Sequence, residues 1–192
     1  MKFTKDFDSD FVNCGKINAN WDIIFKDLET VKDEQTKNWS IIHNSTYDDD
    51  AEEVCNEYLK YGYNEHNTKS WKTTNFDPPI TFDWFDNLSN QLPLDNPIVT
   101  IHRQDPGQTL PWHFDRFFMM KRLYPEDTRP IWRFLIFLED WKNGHLLQIG
   151  DSMLTHWTQG DTVVWKPGTE HLASNVGLEL KWTCNITGFL NI

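Results

Sequence analysis

The chain has 192 residues and 22.8 kDa, with 39% apolar side chains, 15% aromatic ones and a net charge of −11. Ten Trp among those aromatics exclude intrinsic disorder, because disordered chains lack large groups to bury. No apolar run approaches the ~20 residues of a membrane-spanning helix, and the acidic balance offers no strong basic face for nucleic-acid phosphates.

The charge is unevenly placed. Residues 1–95 hold 19 acids against 9 bases, whereas residues 96–192 hold 10 against 9, including all five Arg. The stretch from Arg116 to Arg133 is locally basic and reads as a solvated loop or a small contact patch. Cys14, Cys55 and Cys184 are too few and too scattered for a disulfide framework or a zinc knuckle. They read as reduced thiols, and the opening Met1 to Asp6 has no apolar signal core. A cytoplasmic protein in a reducing compartment is the expectation.

In chain order, Asn20 is a helix cap. Trp21, Ile24, Phe25, Leu28 and Val31 at helical spacing predict a helix over about 21–34. Asp48, Asp49 and Asp50 precede a second helix in which Ala51, Val54, Cys55, Tyr58 and Leu59 follow one face. That acidic cluster lacks the glycine turn and terminal Glu of an EF-hand loop, so it reads as capping and solvation. Residues 62–79 look irregular, and Phe82, Phe85 and Leu88 predict a short helix over 82–91.

The second half changes character. Runs rich in Ile, Val, Thr, Phe and Trp fall at 97–104, 109–115, 131–138, 145–149, 152–157, 161–166, 171–176 and 179–190. Turn signals such as Asp105-Pro106-Gly107, Asn143-Gly144 and Pro167-Gly168 separate them. Strands at this spacing predict an antiparallel sandwich or jelly roll rather than parallel βαβ units. The whole chain, 1–192, reads as one domain, with flanking N-terminal helices over 1–95 and a β-core over 96–192.

His113-Phe114-Asp115 closes a predicted strand, where alternate side chains share a face. His171 opens another predicted strand and can add a second imidazole. Two His and one carboxylate form the facial triad that suits non-haem Fe(II) and leaves positions open. An H-x-D pair alone is expected by chance in a chain with seven His, so neighbouring features matter. Pro106-Gly107-Gln108 stands just upstream of His113. Lys181, ten residues past His171, alternates with Thr183, Asn185 and Thr187, opposite Leu180, Trp182 and Ile186. A lysine on that interior face calls for an anionic partner. Arg133, inside the aromatic run Ile131 to Leu138, can grip a carboxylate, stack on Trp or pair with Glu139.

On these residues the 97–190 segment resembles the iron- and 2-oxoglutarate-dependent dioxygenases. The P-G-Q-x-x-x-x-H-x-D run is similar to that of prolyl 4-hydroxylases, with Gln104 where those enzymes usually carry Tyr. The stretch from Leu147 to Asn175 is similar to aspartyl/asparaginyl β-hydroxylases. The resemblance implies a double-stranded β-helix, Fe(II) held by His113, Asp115 and His171, and 2-oxoglutarate and O₂ as cosubstrates. It further implies that Lys181 or Arg133 pairs with the 2-oxoglutarate carboxylate, and that a protein or peptide side chain (Pro or Asp/Asn) or a free amino acid is hydroxylated. Trp112, Trp165 and Arg116 are the expected substrate-side wall, with 116–124 as a lid or a dimer contact. His43, His66, His102, His145 and His156 read as surface or packing residues. Two rivals stand beside this reading: a cupin-like metalloprotein using no oxo acid, and a non-catalytic interaction protein presenting its acidic half.

Overall fold

The β-branched and aromatic runs of the second half pair into two antiparallel sheets in a computed structural model that describes residues 3–43, 51–77 and 79–191. The larger sheet has seven strands. From its edge these are β1 (Val12–Lys16), β9 (Asp161–Val164), β6 (Ile131–Phe137) and β11 (Lys181–Leu190), then β4 (Leu94–Gln104), β3 (Lys69–Thr74) and β2 (Lys37–Ser40). The smaller sheet runs β5 (Gln108–His113), β10 (His171–Asn175), β7 (His145–Ile149) and β8 (Ser152–Leu154). The eight strands β4 to β11 thus divide between two facing sheets in jelly-roll order, the double-stranded β-helix expected above.

Among the described residues the α-helices are α1 (Trp21–Leu28), α2 (Ala51–Lys60), α3 (Asp83–Ser89) and α4 (Phe118–Leu123). Asn20 caps α1 by accepting the Ile23 N–H at 3.3 Å, as its side chain suggests. The helix stops at Leu28 rather than near 34, because Thr30 and Val31 turn back onto the Asp27 and Leu28 carbonyls. The second helix begins at Ala51 as expected, while the proposed capping by Asp48, Asp49 and Asp50 and the reading of His43's side chain lie outside the described residues. The stretch 62–79 is not wholly irregular, since β3 lies within it. β1, β2 and α4 are likewise elements that composition did not announce. Among the described residues no helix is long and apolar enough to cross a membrane.

Strand alternation gives the seven-stranded sheet two unlike faces. Val99, Ile101, Phe134, Ile136, Cys184 and Ile186 point outward and pack under α1 and α3, whose Ile24, Leu28, Phe85 and Leu88 are buried against them. The opposite face looks toward the small sheet. There Leu135, Phe137 and Val163 join Leu147, Ile149 and Trp157 in a second core. Beyond that core the sheets enclose a cavity of about 1030 Å³, into which Thr100, His102, Arg133, Thr183, Asn185 and Thr187 project.

Cys14 and Cys184 are buried free thiols, and burial pushes the Cys14 thiol up to about 12. Cys55 is half-buried, lines the cavity and directs its Sγ at the Ile42 carbonyl, 3.0 Å away.

Candidate metal centre

The turn at Asp105-Pro106-Gly107 hands the chain from the large sheet to the small one. Gly107 takes a φ of 84° there, a conformation that side chains with a Cβ disfavour. Its N–H donates to the Asn175 carbonyl at 2.8 Å. This tie sets β5 beside β10 so that His113 lies opposite His171 in register. Their ring centroids are 4.2 Å apart. Asp115 follows two residues on, and one ligand atom from each of the three side chains lies within 4.8 Å of the others.

Each imidazole is held from behind. His113 Nδ1 is 2.8 Å from the Pro111 carbonyl, and His171 Nδ1 is 3.0 Å from the Thr169 carbonyl. A carbonyl can only accept, so Nδ1 carries the proton and Nε2 presents its lone pair, the arrangement that metal-bound histidines favour. Burial, and then the neighbouring His171, push His113 down to about 4; burial also lowers His171. Both rings are therefore neutral at pH 7, as ligation requires.

Asp115 completes the set. Burial pushes its carboxyl up, but its charged surroundings, Arg133 foremost, outweigh burial, and the net direction is downward. Its Oδ1 accepts from Arg133 Nη1. Oδ2 is buried, has no hydrogen-bond partner among the described residues and lies 3.8 Å from His171 Nε2. An orphaned carboxylate oxygen beside two imidazole lone pairs is a costly arrangement without a cation. Two His and one carboxylate on one side, with a cavity on the other, fit a divalent non-haem metal.

The other expected residues separate. Trp165 is buried with its ring 4.6 Å from that of His171, and it forms part of the cavity wall. Trp112 stands at the mouth, and its carbonyl accepts the Tyr58 hydroxyl at 2.5 Å. Arg116 also lines the cavity, its guanidinium 5.1 Å from the Phe114 ring. Arg133 neither stacks on Trp nor meets Glu139. Besides Asp115 it bonds Thr187 Oγ1 through Nε at 3.0 Å and lies over the Phe117 ring. Glu139 is held instead by Lys142 at 2.7 Å.

Lys181 is buried on the inner face as alternation requires, and its Nζ donates to the Leu146 and Ser174 carbonyls at 2.5 and 3.2 Å. Its Nζ lies 5.8 Å from the Trp157 ring, and its strand partner Gln104 lines the cavity although Lys181 itself does not. Burial lowers its ammonium to about 7.

Sequence reasoning missed His102 and Lys72, which face the cavity, and placed Asn185 on the interior face without giving it a role. His102 is neutral, held well below its usual range by burial and by Lys72, with Nδ1 3.4 Å from Ser70 Oγ. Lys72 projects from β3, its ammonium lowered by burial to about 7. Asn185 Oδ1 is a buried acceptor with no partner among the described residues. Alternation along β4, read against Thr100, could have found His102. Lys72 lay in a segment read as loop.

No family model matches the chain, and no curated protein does. Several solved structures share its course. A viral collagen prolyl hydroxylase from Paramecium Bursaria Chlorella virus-1, in its 2OG complex, is 15% identical with a TM-score of 0.47, covering 81% of this chain and 97% of that one. A Pseudomonas putida prolyl-4-hydroxylase is also 15% identical at a TM-score of 0.47, covering 88% and 98%. A predicted oxalate decarboxylase from Thermotoga maritima is 10% identical with a TM-score of 0.40, covering 64% and 82%. These are likenesses of chain path, so the chemistry of this chain rests on its own side chains: a His-Asp-His set fit for one divalent metal at the wall of a deep cavity.

Proposed function

We propose that the chain is an Fe(II)- and 2-oxoglutarate-dependent dioxygenase that hydroxylates a C–H bond of a protein or peptide side chain, releasing succinate and CO₂. The observation that carries this reading is the convergence within 4.8 Å of one ligand atom each from His113, His171 and Asp115, whose Oδ2 has no partner among the described residues, at the cavity wall. When bound, Fe(II) with 2-oxoglutarate and O₂ supplies the oxidising power, which protein side chains lack.

The residues of the chain supply the rest. The Pro111 and Thr169 carbonyls fix both imidazoles in the ligating tautomer before any ion arrives. Arg133 holds Oδ1 of Asp115, leaving Oδ2 for the metal. Of the two basic residues, Arg133 faces the cavity and Lys181 does not, so we assign the cosubstrate carboxylate to Arg133. Trp165 and the apolar wall at Leu135 and Leu147 keep water from the reacting centre.

The test is Fe(II)-dependent succinate release from 2-oxoglutarate in a screen of peptide and amino-acid substrates. Turnover lost in His113→Ala and Asp115→Ala supports the reading, and unchanged turnover in both variants ends it. The engagement of Lys181 by carbonyls favours one alternative, a metalloprotein of this fold that uses no oxo acid. Metal retention with no spectral change on adding 2-oxoglutarate would support that alternative.

A further inference from the structure

The mouth of the cavity has a chemistry distinct from its floor. Around it stand Tyr58, Tyr61 and Tyr63 from α2 and the segment after it, with Trp112 and Phe114 on either side of His113. Tyr61, Trp112 and Phe114 are 67%, 40% and 43% exposed. Large rings left this open in one place mark a surface that binds something. Tyr58 meets Tyr63 edge-on at 6.0 Å, and its hydroxyl ties α2 to the Trp112 carbonyl. Such rings attract cations, and the protein's own already take some of them: Arg116 lies over Phe114 and Lys60 over Tyr61.

The charges at the cavity are engaged in an unequal way. Lys37 is paired with Asp77, Arg133 with Asp115, and Arg116 with a ring. Glu57 on α2 and Glu170, next to the ligand His171, are exposed cavity-lining carboxylates that make no side-chain hydrogen bond or ion pair among the described residues. Deeper in, the Asn185 Oδ1 acceptor lacks a donor among the described residues. Aromatic faces, uncommitted carboxylates and an unfilled acceptor all complement a cation that carries N–H groups. The excess of 19 acids over 9 bases in residues 1–95 would attract one from a distance.

We infer that the substrate bears a positive charge beside the carbon to be oxidised: the ammonium or guanidinium group of a basic amino acid, free or within a peptide, seated against Tyr58 and Trp112 between Glu57 and Glu170. That the bound cation is a substrate rests on the dioxygenase reading, while the cation preference itself is a binding property.

Calorimetry with the full chain in an amine-free buffer, under anaerobic conditions with Fe(II) and 2-oxoglutarate, tests it through isosteric pairs. L-Lysine is compared with L-norleucine and L-arginine with L-citrulline, each free and inside a blocked tripeptide. We expect the charged member to bind about tenfold more tightly, and the free and blocked forms to identify the source. Glu170→Gln and Glu57→Gln should each narrow that ratio several-fold, with the Fe(II) affinity measured alongside to show that the metal set is intact. Equal binding of charged and neutral members, or a ratio unchanged in both variants, overturns the inference. A cation preference without Fe(II)-dependent succinate would sink the dioxygenase reading and leave the mouth's specificity standing.

Discussion

The two faces of the seven-stranded sheet are made by the same strands and do opposite work. On β11, Cys184 and Ile186 point outward into a dry core under α1 and α3, while Thr183, Asn185 and Thr187 point inward to the cavity. β6 repeats this, with Phe134 and Ile136 outward and Arg133 and Leu135 inward. The outer face stabilises by apolar burial, and its residues can be exchanged for others of similar volume. The inner face tolerates the orphaned Asn185 amide oxygen, buried cations and a neutral imidazole, features that cost stability unless something binds there. The sheet thus carries its stability on one side and its chemistry on the other.

Substitutions on the two faces should therefore separate stability from metal binding. The largest effect on folding is expected outside. Phe134 is fully buried, and Phe134→Ala should cost about 3–5 kcal/mol by denaturant titration. Protein that remains folded should keep its metal affinity. A loss of metal affinity in that variant would mean that the two faces are not independent.

Arg133→Met acts from the inside. The Arg133 side chain is 25% exposed, so stranding the Asp115 carboxylate should cost less than the ~3–5 kcal/mol of a fully buried pair. A divalent ion can replace the missing cation, so Fe(II) or Mn(II) should raise Tm more in this variant than in the parent. An equal rise in both would show that Arg133 and the metal do not share Asp115.

Lys181 gives the smallest and most graded effect. Its ammonium is lowered from 10.5 to about 7 by burial. Between those values the unfolded chain holds a proton that the fold does not, so stability rises as pH is raised through that interval. Below about 7 the fold bears the cost of a buried charge. Lys181→Met, measured by denaturant titration of metal-free protein across that range, should flatten the slope, with Lys72 supplying the part that remains. An unchanged slope would mean that Lys181 has water access.

The β-core was legible because its strands alternate apolar and polar residues between strong turn signals. His113 and His171 could be placed on neighbouring strands from strand period, but β5 ends at His113 rather than at 115, so Asp115 reaches the set from the segment beyond the strand. The N-terminal strands were hidden for a physical reason. β3 reads Lys69-Ser70-Trp71-Lys72-Thr73-Thr74 because its inner side chains line a polar cavity, so no apolar stripe marks it. β1 is broken by a shift in register between Asn13 and Gly15, and β2 is only four residues long. α4 follows Phe117, whose left-handed φ of 55° gives no composition signal. Lys181 falls on the inner face as alternation requires, but period says nothing about its polar partners, which are the Leu146 and Ser174 carbonyls.

If His113, Asp115 and His171 jointly hold one Fe(II) with room left for an oxo acid, an anaerobic optical titration of the full chain with Fe(II) and then 2-oxoglutarate will show it. One equivalent of Fe(II) per chain is expected, with a visible charge-transfer band on adding 2-oxoglutarate, both abolished in His113→Ala. Stoichiometric iron binding and an unaltered band in that variant, or no iron binding by the parent protein, would contradict the assignment.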